Sequence, residues 1–161
     1  MAFCKKSSIF APLNRIGNDL MSTFCNFFKS FMDIQLINED LLVELRRKAQ
    51  ASERKRTNFD LRTTPEDNSQ RMLNVMEVGT VVPIHNHLDT SETFVCVKGK
   101  FDVVFYAEGP DAPKHHEIYR VTVCPAEGMY GVQIPVGAWH TVEVHEPTVI
   151  IGAMDGKYKG K

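Results

Sequence analysis

Three histidines and one glutamate stand at spacings that suit metal chemistry. His85 and His87 are one residue apart, Glu92 follows shortly after, and His140 lies far along the chain in the hexapeptide PVGAWH. Because successive side chains of a strand point to opposite faces, His85 and His87 are predicted to project to the same side. Apolar residues at alternate positions after Glu92 and after His140 indicate that these two side chains also turn inward.

Four such groups meeting in an apolar interior need a common partner. A buried polar group without a partner costs free energy, and a lone buried carboxylate costs more. A divalent cation would satisfy all four groups, and imidazole and carboxylate ligands suit Fe, Mn, Zn or Ni. The sequence therefore predicts one divalent transition metal bound by His85, His87, Glu92 and His140. An octahedral ion with four protein ligands keeps two positions for water, substrate or dioxygen.

Two other interpretations of these residues stay open. His85 and His87 alone also fit a half-exposed strand that carries polar histidines. With Glu92 and His140 added, the remaining alternative is a metal-free barrel that uses the same pocket for a sugar nucleotide. His145 falls on the strand face opposite His140 and is left out of the predicted site.

The elements that must position these residues are short strands. From Arg71 onward, segments rich in β-branched and aromatic residues alternate with turn signals such as VKGK and PVGA. Many short strands at this spacing favour an antiparallel sandwich or closed barrel. Seven segments are predicted as strands: RMLNVMEV, TFVCV, KFDVVFYA, EIYRVTV, YGVQI, WHTVEVH and TVIIGAM.

One short helix is predicted before the strands. The segment NEDLLVELRRKAQ has a capping residue at Asn38, acidic residues in its first turn and basic residues towards its end. This charge order suits the helix dipole, and we expect a helix from about Glu39 to Gln50. The polar segment from Ala51 to Gln70 is predicted to be a loop or an irregular strand.

The chain is accordingly divided into four parts. Residues 1–32 form an N-terminal extension, 33–70 hold the helix and an arginine-rich lead-in, 71–155 form the barrel and 156–161 a basic tail. Apolar residues of the extension fall near helical spacing. They fit either an amphipathic helix on a partner or membrane surface, or a poorly ordered stretch upstream of Met32.

Composition excludes several partner classes. The formal net charge of −1 lacks the positive footprint that nucleic-acid binding needs. No apolar run approaches membrane-spanning length. The four cysteines form no CxxC pair, and with no clear export signal the simplest expectation is reduced thiols in the cytoplasm.

The stretch GTVVPIHNHLDTSETFVCVKG resembles the first cupin motif. Gly79, His85, His87, Glu92 and Gly99 all fall at the spacing of that family. The resemblance implies an antiparallel cupin (jelly-roll) β-barrel, preceded here by a short helix.

The second cupin motif is matched less completely. Pro135, Gly137 and His140 fit its core. Gly128, taken as its opening glycine, is one residue too far from Pro135, and Val144 replaces the usual closing asparagine. These departures concern the loop geometry and not the histidine.

A narrower resemblance is to the WbuC-type cupin-fold metalloproteins, which are associated with bacterial surface-polysaccharide gene clusters. It rests on the short helix, the arginine-rich stretch and the QR dipeptide before the first barrel strand. Arg56 and Arg71 lie where the WbuC-like pattern has arginine, which implies a role in substrate binding. Cupins also commonly pair through sheet edges, so a homodimer is implied.

The function that follows from these features is a metal-binding cupin acting as a small metalloenzyme on a sugar or other small polar substrate. Tyr130 and Gln133 border the second motif and are further candidates for substrate binding. The alternatives are a non-catalytic metal- or ligand-binding module and a metal-free sugar epimerase or isomerase. Catalytic residues are not assigned.

Overall fold

The computed structural model describes residues 34–111 and 116–156. The chain divides into two units, Met1–Ile37 and Asn38–Lys161. The predictions for residues 1–32 lie outside the described residues. None of the helices in the described part has the length and apolarity that a membrane crossing needs.

The predicted helix is confirmed as α1, Glu39–Ala51. The side chain of Asn38 accepts a hydrogen bond from the Leu41 backbone N–H at 3.2 Å, which satisfies one free donor of the first turn. One face of the helix is buried against the barrel by Leu42, Leu45 and Ala49.

In the described part of the chain, eight strands follow the helix, and they form two antiparallel sheets. Their bounds are β1 Arg56–Asp60, β2 Ser69–Met76, β3 Glu92–Lys98, β4 Phe101–Tyr106, β5 Glu117–Val123, β6 Gly131–Ile134, β7 Trp139–Val144 and β8 Thr148–Asp155. The larger sheet has the order β1-β2-β8-β3-β6, and the smaller has the order β5-β4-β7. The predicted antiparallel jelly-roll barrel with a short N-terminal helix is confirmed.

The core lies in two layers. The first fills the space between the sheets and includes Phe94, Phe101, Val103 and Ile150. The second lies between α1 and the outer face of β2 and β8 and includes Leu45 and Leu73 with their neighbours. The larger sheet therefore packs against apolar side chains on both faces. Its inner face contacts the layer between the sheets, and its outer face contacts α1.

The lead-in to the barrel is more regular than its polar composition indicates. Residues Arg56–Asp60, predicted as a loop or irregular strand, form the edge strand β1 and pair with β2 in continuous register. Phe59 is the residue of this strand that packs on the helix layer.

The segment that carries two of the predicted metal ligands is not a regular strand, contrary to the prediction. Between β2 and β3 the chain makes one isolated bridge, in which His85 pairs with His140. Pro83 lies two residues before that bridge and has no N–H to donate to a ladder. The segment therefore runs along the edge of β7 without forming a strand.

Candidate metal centre

The structure brings the four predicted ligands together. His85, His87, Glu92 and His140 each offer one ligand atom, and these atoms all lie within 4.8 Å of one another. Ligands about 2.1 Å from one ion would be about 3 Å to 4.2 Å apart, so the most widely separated atoms would have to approach by about half an ångström to hold a single ion. The His85 and His140 rings are closest, with centroids 4.3 Å apart.

Backbone pairing holds three of these residues in place. His85 and His140 exchange both backbone hydrogen bonds, at 3.0 and 2.8 Å. The Gly137 N–H donates to the His87 carbonyl at 2.8 Å, so the ligand segment is joined to the PVGA turn as well. Gly137 has φ +78°, which a type II turn requires at its third position. This turn places His140 beside the other imidazoles.

Hydrogen bonds fix the tautomers of two histidines. Nδ1 of His85 lies 2.9 Å from the Pro83 carbonyl, and Nδ1 of His140 lies 3.0 Å from the Ala138 carbonyl. A carbonyl oxygen only accepts, so each Nδ1 carries the proton. In the neutral rings, Nε2 is then a bare lone pair, which is the form that binds a metal.

These lone pairs make the cluster incomplete without a cation. Oε2 of Glu92 lies 3.3 Å from Nε2 of His140, and both atoms are acceptors when that imidazole is neutral. Nε2 of His87 lies 3.2 Å from the same oxygen but is buried without a hydrogen bond. A positive charge among these atoms would remove both defects. The residues present therefore fit a divalent metal.

Burial keeps His85 in the form that a metal requires. It lowers the pKa of this imidazole below the ordinary value, against the opposing effects of the Pro83 carbonyl and the Glu92 charge. The ring is consequently neutral at pH 7.

Four residues outside the prediction lie on the same sheet faces as the cluster. Tyr119, Phe105 and His140 form one row across the smaller sheet, and the Phe105 ring centroid lies 6.4 Å from that of His140. On the larger sheet, Gln70 pairs with Met154, which in turn pairs with Glu92. Partners in register point to the same face, so Gln70 shares the inner face with Glu92. Gln70 belongs to the QR dipeptide of the sequence, but the face on which it lies follows only from the strand pairing.

The structure does not bring the two predicted arginines to the cluster. Arg71 neighbours Gln70 on β2 and so projects from the opposite, outer face. There its guanidinium bonds to Ser69 Oγ at 2.9 Å and to Asp67 Oδ2 at 3.1 Å. Arg56 pairs with Met76, six positions after Gln70 on β2. Six residues of strand span roughly 20 Å, which places Arg56 at the other end of the barrel.

The two remaining candidates lie on or near β6. Gln133 pairs with Thr93, one position from the Glu92 pair, so it projects from the face opposite Glu92. Its side chain bonds to Ser91 Oγ at 3.3 Å. Tyr130 is exposed, and its carbonyl accepts the Cys96 N–H at 2.8 Å. A role of either residue in substrate binding stays a prediction.

The excluded histidine, His145, lies elsewhere, as expected. Its Nε2 donates to Oδ2 of Asp102 at 2.9 Å on the outer side of the smaller sheet. The same carboxylate oxygen accepts from Arg120 at 2.8 Å. This cluster is an ion-pair network and contains none of the four candidate ligands.

Among the solved structures compared with this chain, one supports the fold. The TT1209 protein from Thermus thermophilus is similar in structure, with a TM-score of 0.55, 16% identity, and coverage of 79% of this chain and 100% of that one. KdgF from Halomonas sp. has a TM-score of 0.49, 16% identity and coverage of 64% and 82%. A cupin superfamily protein from Desulfitobacterium hafniense has a TM-score of 0.48, 11% identity and coverage of 63% and 78%. At these identities the likeness concerns the fold alone.

Comparison at the level of sequence identifies one family. No curated protein matches this sequence. A family model described as a domain of unknown function (DUF6016) matches residues 37–118. The matched segment is half of the 161-residue chain and contains three of the four candidate ligands. The chain therefore belongs to the DUF6016 family, and it has the jelly-roll fold of the cupins.

Proposed function

We propose that this protein binds one divalent transition metal through His85, His87, Glu92 and His140 and acts as a small metalloenzyme on a sugar or other small polar molecule. The observation that carries the proposal is the contact at 3.3 Å between Glu92 Oε2 and Nε2 of His140, which is an acceptor when the ring is neutral. Two buried acceptors at this distance repel each other unless a cation or a proton lies between them.

The residues around the cluster have separate tasks in this function. The Pro83 and Ala138 carbonyls orient His85 and His140, so the ligand geometry is formed before any substrate arrives. Phe105 lies beside His140 on the inner face of the smaller sheet, with ring centroids 6.4 Å apart. A bound divalent ion would polarise a substrate oxygen as a Lewis acid.

Gln70 is the residue best placed to orient a polar substrate. It is 8% exposed and lies two strands from Glu92 on the same inner face. Strands are about 4.8 Å apart, so its Cα lies roughly 10 Å from that of Glu92, and an amide at that distance can reach a hydroxyl of a metal-bound molecule. The resemblance to the WbuC type favours a sugar used in surface-polysaccharide synthesis as that molecule.

Metal analysis tests the ligand set. Purified protein is stripped with chelator, reconstituted in turn with Fe(II), Mn(II), Zn(II) or Ni(II), desalted and analysed for metal content. We expect about one ion per chain in the wild type and very little in His87→Ala, because losing a ligand should exceed the roughly 10–100-fold loss of affinity that outer-shell changes cause. His116→Ala is the matched control, since that imidazole contacts Glu108 outside the cluster. Equal metal content in both variants would refute the ligand assignment.

Turnover assays test the enzymatic part separately. The metal-loaded protein is assayed against a panel of sugars, sugar phosphates and small carboxylic acids, with oxygen uptake followed for the Fe(II) form. Turnover that requires metal and falls in Gln70→Leu at unchanged metal content would support the proposal. Metal binding without turnover across the panel would favour a non-catalytic module, and equal epimerisation by metal-free protein would favour the metal-free alternative.

A further inference from the structure

A polar cleft lies at the end of the barrel opposite the candidate metal centre. It has a volume of about 280 Å³ and is lined by Arg54, Arg56, Asn58, Asn74 and neighbouring residues. Arg56 and Asn58 pair with Met76 and Asn74 on β2, so these side chains share the inner face of the larger sheet near its open edge. The volume is close to the lower end of the range for small-molecule sites.

The cleft contains positive charge without a counter-charge. Within residues 34–111 and 116–156, no carboxylate lies within ion-pair distance of the guanidinium of Arg54 or of Arg56. Burial lowers the pKa of Arg56, and the charge of Arg54 lowers it further. Two arginines that repel each other beside a cavity would be stabilised by an anion between them.

Hydrogen-bond donors in the cleft are also available. Nη1 of Arg56 donates to the Val81 carbonyl and to Thr80 Oγ1. The Nε and Nη2 groups of the same guanidinium remain available as donors to a ligand. The Asn74 amide makes no hydrogen bond within the described part of the chain, and the Asn58 amide reaches only the Met72 sulfur, at 3.7 Å. Guanidinium and amide N–H groups together form a lining suited to oxyanions.

The turn that delivers the arginines is conformationally unusual. Lys55, between Arg54 and Arg56, has φ +52°, and among the described residues it is the only non-glycine residue with positive φ. Such a conformation costs a lysine about 1 kcal/mol or more, so neighbouring contacts must hold it. The Thr80 hydroxyl supplies one of them by donating to the Arg54 carbonyl at 2.8 Å.

We propose that this cleft binds a phosphorylated small molecule. A phosphomonoester dianion matches the charge of Arg54 and Arg56 together, whereas a single carboxylate matches only one of them. Its terminal oxygens can accept from both guanidinium groups, and the Asn58 and Asn74 amides remain for hydroxyls of the organic part. The site is separate from the metal cluster, so it does not depend on the function proposed above.

Calorimetric titration with glucose 1-phosphate tests this inference. Full-length protein is titrated both metal-loaded and chelator-treated, with glucose as the uncharged comparison and inorganic phosphate as the smaller anion. We expect saturable binding of the sugar phosphate in both forms, weaker binding of inorganic phosphate and none of glucose. Persistence of binding in the His87→Ala variant would show that the phosphate is not bound at the metal cluster.

Arginine variants locate the binding. Arg54→Met and Arg56→Met should each weaken binding by about tenfold or more, the usual effect of losing a charge-assisted hydrogen bond. Arg47→Met, an exposed arginine of α1, is the matched control and should bind as the wild type does. Arg54 makes no side-chain bond to the 80–81 turn, so its variant separates ligand binding from folding. Unchanged affinity in Arg54→Met and Arg56→Met, an equal loss in Arg47→Met, or no saturable binding to wild type would overturn the proposal.

Discussion

Two buried carboxylates in this barrel have opposite surroundings. Glu92 is 8% exposed and Asp102 is 4% exposed. Asp102 accepts hydrogen bonds from Arg120 at 2.8 Å and His145 at 2.9 Å. Glu92 instead faces the Nε2 atoms of His87 and His140, which offer it no positive charge when these rings are neutral. The charge of Asp102 is therefore compensated within the chain, whereas that of Glu92 calls for a cation.

The Glu92→Gln change should stabilise the metal-free protein and weaken metal binding. The new amide can donate to the Nε2 lone pair of His140, and a buried charge is removed. We expect a gain of about 1 kcal/mol in the free energy of unfolding, as is usual for removing a strained functional group. Urea unfolding of chelator-treated protein at about pH 8, above the ordinary imidazole pKa, measures this. A loss of stability on Glu92→Gln would mean that Glu92 is already compensated without a cation.

The Asp102→Asn change should lower the free energy of unfolding, and the size of this loss should depend on pH. Burial raises the pKa of Asp102, but hydrogen bonds from Arg120, Thr122 and His145 outweigh it and hold the pKa below its ordinary value. The unfolded chain then binds more protons, so the stabilisation is present above about pH 4 and is lost as the pH falls through the lowered pKa.

We therefore expect Asp102→Asn to lose about 1–3 kcal/mol at pH 7, with a smaller difference from wild type towards pH 3. Urea unfolding at a series of pH values measures both effects. Glu117→Gln is the control, because this exposed carboxylate bonds to the same arginine but is screened by solvent and should contribute much less. A difference that stays constant with pH would contradict the charge-based explanation.

At the scale of elements, Gly99 closes the tight turn between β3 and β4. It has φ +99°, and a Cβ there would lie 2.5 Å from both the Pro147 carbonyl oxygen and Thr148 Oγ1. Gly128, with φ +85°, has no atom within 4 Å of such a Cβ. The two turns therefore share the backbone requirement but differ in the space available.

Gly99→Ala should destabilise the protein more than Gly128→Ala. The Gly128 change costs the left-handed conformation alone, about 1–2 kcal/mol, whereas the Gly99 change adds a clash with backbone. Thermal and urea unfolding of the two variants under the same conditions compare them. If the two losses were equal, the packing of Gly99 against Pro147 would have no energetic role.

The elements could be predicted from sequence wherever the pattern is local. All seven predicted strands form, and the helix begins at Glu39 as its capping residue indicated. The prediction was less accurate for Arg56–Asp60 and wrong for the segment around His85. In both cases distant pairing decides the outcome: β1 is a strand because β2 is beside it, and the His85 segment follows β7.

The candidate site could be predicted only where it depends on a local sequence pattern. Alternation within strands puts Glu92 and His140 on inward faces, and this information is present in short stretches of sequence. The place of Gln70 beside Met154, and of Arg56 far from the cluster, depends on the register between strands. Register is a property of pairs of distant segments, so single-sequence patterns do not contain it.

At the scale of the whole molecule, the candidate ligands connect both sheets of the barrel. Glu92 begins β3 in the larger sheet, His140 lies on β7 in the smaller one, and His85 and His87 belong to the segment that crosses between them. A bound ion would therefore add a link from β3 in the larger sheet to β7 and the His85 segment, which are already joined to each other by backbone hydrogen bonds. Loss of the ion should therefore lower the stability of the whole barrel against unfolding.

Removing the metal should lower the unfolding temperature of the whole barrel. An ion that binds only the folded chain, present at about 100 times its dissociation constant, stabilises by about 2.7 kcal/mol. For a chain of this size that corresponds to roughly 5–10 °C. Differential scanning calorimetry of reconstituted and chelator-treated protein measures the shift, and His87→Ala should show almost none. A large metal-dependent shift that survives in His87→Ala would place the stabilising ion elsewhere in the molecule.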